Sequence, residues 1–408
     1  MSAAASGLTA DLVVPRYGDA ALSDVLPSVL AALGLPGERD VLALAPLEVA
    51  CVLLVDGLGW DLLRAHRTEA PFLNGLADDA DREGGTGRAR ITAGFPTTTT
   101  TSLTSLGVGA PAGEHGMTGY QMIDPETGHV LNALQWDLQR GPHPHEWQPM
   151  ATTLERAESA GVAVTTIAPA EFAGTGLTEA ALRGGDYLGL AADDEYGPIV
   201  RTVLDGGGRG PALAYLYHGT LDRTGHTVGV ASQQWRDELR RVDRLAAEIA
   251  AALPAGAALL VTADHGMVDI DRSQLVDVAD QPALQVGVRA LAGEGRCRYV
   301  HATRGADRDV LSIWRDELED GFCVLSRAET IDAGLLGPVV TPAAAARIGD
   351  VVVLARGAGA VFDRRVDAAR VRNLVGQHGS LTPAETYIPL LQYRADSWAG
   401  SRADPRVG

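Results

Sequence analysis

Apolar runs of strand length alternate with stretches of helical periodicity along most of the chain. VACVLLVDG at 49–57 is continuously apolar and then ends in an acid, the pattern of a strand buried on both faces. A helix around 71–80 starts at Pro71, whose fixed φ and missing N–H suit a first turn. ATTLERAESAG at 151–161 reads as a capped helix closed by Gly, with VAVTTIA following it as a strand. ALAYLYH at 212–218 is a further strand, and the longest amphipathic stretch, 230–254, is stopped by Pro254. ALLVTADHG at 258–266 and RIGDVVVLAR at 347–356 complete the strands of the core. This alternation predicts an α/β protein with a mostly parallel central sheet and helices on both faces.

Two stretches break the rhythm. Residues 120–150 hold a hairpin pattern (QMIDPETGHVLNALQW) and then GPHPHEW, an insertion expected near the active site. Residues 284–345 read strand, helix, strand through RCRYVHAT, ADRDVLSIWRDELED and GFCVLS. They predict a small α+β cap, leaving 1–283 and 346–408 as the catalytic core.

Composition narrows the function. With 408 residues the chain can bury a large core, and 46% hydrophobic with 21% charged residues is the balance of a soluble globular protein. The net charge is −18 and every basic residue is Arg. Such a surface disfavours nucleic acid and anionic membranes as partners. A phosphate substrate would need local positive charge, which divalent cations bring. Cys51, Cys297 and Cys323 show no metal-finger or disulfide spacing. The N-terminal segment lacks a signal-peptide pattern, and no run is long enough to span a membrane. These features give the expectation of a cytoplasmic enzyme.

Three apolar runs lead into acids or histidines: VLLVD at Asp56, LYHGTLDRTGH with Asp222 and His226, and LLVTADH at Asp264 and His265. Open α/β sheets bind ligands beyond the carboxyl ends of their strands, so these residues are expected on one edge. Asp222 and His226 are four apart and share a face of a helix. His378 sits in the Gly-flanked loop VGQHGS. Each signal alone is ordinary: a strand-end Asp is commonly a cap, and a Gly-flanked His commonly a turn. Together, three Asp and three His exceed what one tetrahedral ion uses. Two ions are the natural reading, zinc first and manganese second.

The order of these motifs resembles the alkaline phosphatase superfamily, and within it the nucleotide pyrophosphatase/phosphodiesterase (type I phosphodiesterase) family. The resemblance runs through VDG at Asp56, FPTTTT at 95–100, GEHGMTGY at 113–120, LDRTGH, ADHGM and GQHGS, spanning about 56 to 380. It implies an alkaline-phosphatase-like fold. It implies a first metal held by Asp222, His226 and His378, and a second by Asp56, Asp264 and His265 with the Thr99 oxygen. Thr99 is the implied nucleophile in the run GFPTTTTTSLTSLG; Thr98 and Thr100 stay open as alternatives. The segment after it suits a helix start whose free N–H groups face phosphate.

The implied function is two-metal hydrolysis of a phosphodiester or pyrophosphate bond in a small molecule, nucleotide-type, through a phosphothreonine. The alternative is a phosphomonoesterase or phosphonate hydrolase. A mutase would carry a different nucleophile context, and a metal-binding relic would have lost a ligand. Where the family has an Asn, this chain has Tyr120, a candidate substrate contact or core residue. The family's F-P-N after the nucleophile is replaced by TTSL. Arg223 is the basic residue nearest a ligand in sequence. His115 reads as structural, and His218 as core or as support for a ligand. His143, His145, Trp136 and Trp147 read as pocket mouth or as packing and solvated loop.

Overall fold

The computed structural model describes residues 7–82, 88–191, 196–206, 210–318 and 321–395. Its central sheet has seven strands in the order Arg90–Thr92, Tyr387–Arg394, Ala257–Thr262, Val49–Val55, Ala212–His218, Ala163–Pro169, Asp186–Leu190. The last five run parallel. Tyr387–Arg394 is antiparallel to both of its neighbours. Val49–Val55 lies at the middle, flanked on both sides and covered on both faces, which is why its sequence is a continuous apolar run.

One helical layer groups Pro71–Asp81, Tyr196–Gly206 and Gln233–Ala252; the other groups Val25–Ala32, Thr99–Val108, Thr153–Ser159 and Gly176–Ala181. The long helix expected over 230–254 begins at Gln233, because the Ser232 hydroxyl accepts the Trp235 N–H and caps it there. Its buried stripe is Trp235, Leu239, Val242, Ala246 and Ile249. Each large side chain in that stripe contributes about 1.5–3 kcal/mol on burial.

The register sets up the site. Val55 pairs with His218, and Leu54 pairs with Thr262. The three strands therefore end level, and the residues that follow them emerge on the same edge. The hairpin expected after Tyr120 forms between Gln121–Ile123 and Val130–Asn132.

The segment after 284 forms a second, antiparallel sheet in the order Val288–Glu294, Cys297–Ala302, Val351–Ala355, Phe322–Ser326. Helix Asp307–Leu318 packs on it through Val310, Trp314 and Leu318. The strand within RIGDVVVLAR therefore belongs to the small sheet and not to the central one. Val352 and Leu354 face one apolar cluster while Val351, Val353 and Ala355 face another. A strand buried on both faces looks the same in sequence whichever sheet holds it.

Candidate active site

Asp56 follows the central strand directly, and its N–H donates to the His218 carbonyl at 2.9 Å. Gly57 then turns the chain with φ 75°, and a Cβ there would lie 3.1 Å from Asp222. Only Gly combines that backbone with that closeness. Asp222 and His226 stand on helix Thr220–Val228, with Asp222 Oδ2 3.3 Å from His226 Nε2. Asp264 and His265 follow strand Ala257–Thr262. Gly266 lets this turn press on its neighbours, since a Cβ there would strike the Ala384 carbonyl. His378 comes from the loop after the short strand Gly376–Gln377.

The six residues form two groups, Asp222 with His226 and His378, and Asp56 with Asp264 and His265. Within each group the ligating atoms lie within 4.8 Å of one another. His265 Nε2 is 3.3 Å from Asp264 and 3.5 Å from Asp56, and His378 Nε2 is 3.8 Å from Asp222.

The donor chemistry fits divalent metal. Each imidazole places Nδ1 on a backbone carbonyl: His226 on Gly376 at 2.7 Å, His265 on Gly266 at 3.0 Å, His378 on Thr97 at 2.8 Å. A carbonyl only accepts, so Nδ1 carries the proton and Nε2 presents a bare lone pair. Each carboxylate likewise keeps one oxygen without a hydrogen-bond donor among the described residues: Asp56 Oδ1, Asp222 Oδ1 and Asp264 Oδ2. The second oxygens of Asp56 and Asp264 are held. Tyr217 donates to Asp56 Oδ2, and the N–H groups of Gly57 and His265 donate to Asp264 Oδ1 at 3.0 and 2.9 Å.

The electrostatics agree. Burial pushes Asp222 up to about 7, and burial does the same to Asp264. Burial and the neighbouring Asp264 charge hold Asp56 well above the carboxylate range. Burial lowers His265 to about 4 and drives His378 well below its ordinary value. Crowded buried acids beside neutral imidazoles are a site whose charge balance a bound cation restores.

The threonine run ends in a helix, Thr99–Val108, with Thr98 at its N-cap. Thr97, Thr98, Thr100 and Thr101 are buried; Thr99 is partly exposed and lines the pocket. Its Oγ1 lies 3.2 Å from His265 Nε2. The Thr98 hydroxyl does not cap the helix, so no N-cap side chain takes up the first-turn N–H groups.

The pocket has a volume of about 1510 Å³ and is lined by Asp56, Thr99, Asp222, His226 and His378 together with Tyr120. Arg223 stands on its exposed rim. His115 is remote from it: its Nδ1 accepts the Met117 N–H and its Nε2 donates to Ser105, so its role is structural. His218 lines the wall but is tied to Glu238 at 3.1 Å. Trp136 and Trp147 are buried against each other, edge to face, and His143 and His145 are exposed.

Among the pocket residues that sequence reasoning missed are Tyr217, Glu294 and Gln377. Tyr217 alternates with the apolar Leu216 and precedes His218, which is a weak signal. Gln377 adjoins His378. Nothing in the sequence marks Glu294, which reaches the pocket from the small sheet.

Among solved structures the fold is shared with murine ectonucleotide pyrophosphatase/phosphodiesterase 5. That likeness has a TM-score of 0.65 and 18% identity, covering 86% of this chain and 90% of that one. An inactive threonine-to-alanine variant of the murine protein in complex with AMP matches at TM-score 0.64 and 18% identity, with the same coverage. Phosphonoacetate hydrolase from Sinorhizobium meliloti 1021, in complex with phosphonoacetate, matches at TM-score 0.63 and 19% identity, covering 86% of this chain and 91% of that one. No curated protein matches the chain by sequence. No described helix is long and apolar enough to cross a membrane. The sequence profile of the family Type I phosphodiesterase / nucleotide pyrophosphatase matches residues 50–381. The chain belongs to that family, a metal-dependent phosphoric ester hydrolase on the alkaline phosphatase scaffold.

Proposed function

We propose that the protein cleaves a phosphodiester or pyrophosphate bond of a small, nucleotide-type molecule through a phosphothreonine formed on Thr99, with two divalent metals, zinc first. The observation that carries this reading is the position of Thr99. It is the one threonine of the run at 97–101 that is not buried, it begins a helix with free N–H groups, and its hydroxyl lies against His265. The inactive murine variant, in which a threonine is replaced by alanine, supports the same role.

Asp222, His226 and His378 would hold one ion, and Asp56, Asp264 and His265 the other. When bound, such ions lower the cost of the negative charge that develops on attacking and leaving oxygens. The chain supplies the rest. The Thr99 oxygen attacks phosphorus, the P–O bond to the departing alcohol or phosphate breaks, and a water then displaces Thr99 from the phosphorus. The first-turn N–H groups stabilise the non-bridging oxygens in both displacements. Tyr120, where the family has Asn, offers a hydroxyl to the same phosphate group. Tyr217 fixes Asp56, and the three carbonyl-anchored imidazoles keep their rings aimed.

A diester carries one charge at phosphorus and a monoester nearly two. The four arginines that line the pocket, Arg223, Arg241, Arg244 and Arg370, are all exposed. No buried cationic side chain among the described residues lines the pocket to take the second charge, which favours the diester. The likeness to phosphonoacetate hydrolase keeps phosphonate cleavage as the second reading. The four-stranded sheet with helix Asp307–Leu318 serves as the cap over the core. A cytoplasmic location has only the three buried, unbridged cysteines in its favour.

The test is metal content together with rates on bis-p-nitrophenyl phosphate, p-nitrophenyl phosphate and phosphonoacetate. About two ions per chain, as a paired-metal site holds, and fastest diester turnover are expected. Faster monoester or phosphonate turnover overturns the diester assignment.

A further inference from the structure

Three segments carry the candidate histidine ligands: helix Thr220–Val228 with Asp222 and His226, the strand that leads into His378, and the turn that holds His265. All three meet at Met267–Asp269. Val268–Asp269 is a short strand antiparallel to Gly376–Gln377, with Asp269 opposite Gly376. The Val375 N–H donates to the His226 carbonyl at 2.8 Å, and the Ile270 N–H to the Val375 carbonyl at 2.8 Å. Met267 is 2% exposed, and its sulfur fills the junction: a Cβ on Gly225 or on Gly376 would strike it. A Cβ on Gly376 would also lie 2.7 Å from the Gly225 carbonyl oxygen, so the ligand helix and this strand touch backbone to backbone.

Asp269 closes the junction from the far end of the helix. Its Oδ1 accepts the Val230 N–H at 2.7 Å and its Oδ2 the Ala231 N–H at 3.2 Å. These residues directly follow Gly229, which ends the helix with φ 85°. A Cβ on Gly229 would lie 2.8 Å from the carboxylate. Asp269 belongs to neither ligand group and does not line the pocket.

Asp222 and His226 face His378 together only while their helix keeps its rotation about its own axis. His226 stands two residues before the helix ends, so that end decides where its ring lies. Two oxygens bonded to two successive N–H groups fix both the place and the rotation of the helix end. An amide does not replace them, because it has one acceptor oxygen and turns its NH2 toward the second N–H.

We infer that Asp269 is a positioning residue for the Asp222, His226 and His378 group: its carboxylate sets the rotation of the ligand helix against the strand that leads into His378. This rests on the metal-ligand reading of the two groups and names what aligns one of them.

The test is a double-mutant cycle read in zinc affinity. Chelator competition measures zinc binding to the native protein, Asp269→Asn, His226→Ala and the double variant, with the melting temperature of each metal-free form. Asp269 is half-buried and Asn has the same shape, so the fold is kept. One ion is expected to bind about 10–100-fold more weakly to Asp269→Asn, the usual cost of losing a group that supports a ligand. With His226 already removed, Asp269→Asn is expected to cost the remaining ion nothing further. Asp269→Glu keeps two acceptor oxygens and is expected to recover most of the loss. Native affinity in Asp269→Asn, an equal loss at both ions, a loss that persists beside His226→Ala, or a loss in Asp269→Glu as large as in Asp269→Asn overturns the positioning role. The ligand reading fails separately: a native protein that binds no zinc overturns it and the positioning role with it, whereas the outcomes above leave two-ion binding by the native protein intact.

Discussion

His265 and His378 stack ring on ring, with centroids 3.6 Å apart and planes 17° from parallel, although each belongs to a different ligand group. Two imidazoles so close cannot both be protonated, and burial already holds both neutral. Neutral rings with Nδ1 bonded to Gly266 and Thr97 leave His265 Nε2 beside Asp56 and Asp264 and His378 Nε2 beside Asp222. The stack therefore couples the two groups. His378→Ala is expected to lose about one metal per chain and also to weaken the remaining ion, because His265 loses the ring that fixes its plane. Metal analysis with a competing chelator reads both effects. Unchanged metal content would remove His378 from the ligand set.

Thr99→Ala is expected to keep the metals and abolish covalent phosphoenzyme, while Thr98→Ala and Thr100→Ala still trap labelled phosphate. The distinction follows from position: Thr100 is fully buried away from the pocket wall, and Thr98 touches that wall but is only 2% exposed, whereas Thr99 is the partly exposed member of the run with its hydroxyl against His265. Acid-quench trapping on the three variants decides it. Label retained on Thr99→Ala would move the nucleophile to another residue.

The convergence of the six candidate residues was legible in the sequence because strand-end acids and histidines sit at fixed offsets from apolar runs, and parallel register brings strand ends level without help from side chains. Tyr217 was not legible, since one Tyr in ALAYLYH looks like packing until its hydroxyl meets Asp56. Glu294 reaches the pocket only through the way the small sheet docks, which local periodicity does not encode. The same limit misplaced Val351–Ala355: its apolar run satisfies either sheet, and only long-range pairing with Cys297–Ala302 and Phe322–Ser326 chooses.

Tyr217→Phe is expected to lower metal affinity about 10–100-fold, the usual cost of losing a group that orients a ligand. The Tyr217 hydroxyl donates to Asp56 Oδ2 and leaves Oδ1 free, so its loss lets the carboxylate rotate. Chelator competition measures it. An unchanged affinity would make the Tyr217–Asp56 bond incidental.

Stability of the metal-free protein should fall as pH rises from about 6.5 to about 7.5. Asp222 and Asp264 are raised to about 7 when folded, against about 3.9 when unfolded. Their contribution is therefore complete below about 4 and is lost as pH rises through about 7. His265 and His378 are depressed and act in the opposite sense, but only below about 6.5, where the unfolded imidazole still binds a proton. Above that value the acids act alone and the slope is downward. Melting curves of chelator-treated and zinc-loaded protein across this range test the sign. A flat or rising metal-free curve would contradict it, and zinc should flatten the fall by neutralising the ionised acids.

The small sheet is fastened to the His378 loop by Arg296 and Glu385, both fully buried and bidentate with N···O of 2.7 Å. Glu385 also accepts the Ser380 N–H at 3.0 Å and the Thr382 hydroxyl at 2.5 Å, so it organises the turn that follows His378. Arg296 in turn donates to the Gly359 carbonyl at 2.8 Å. Arg296→Met leaves a buried carboxylate without its cation, a change that costs about 3–5 kcal/mol when one partner of such a pair is removed. The expected result is a marked loss of thermal stability together with weaker metal binding at the Asp222, His226 and His378 group. Glu385→Gln should cost a similar amount, because it leaves the Arg296 cation buried without its carboxylate and turns an amide NH2 toward donors whose hydrogen bonds Glu385 accepts. Melting temperature and metal affinity measured on both variants separate the two roles. A stability loss with metal affinity intact would show that the pair fastens the two sheets without positioning His378.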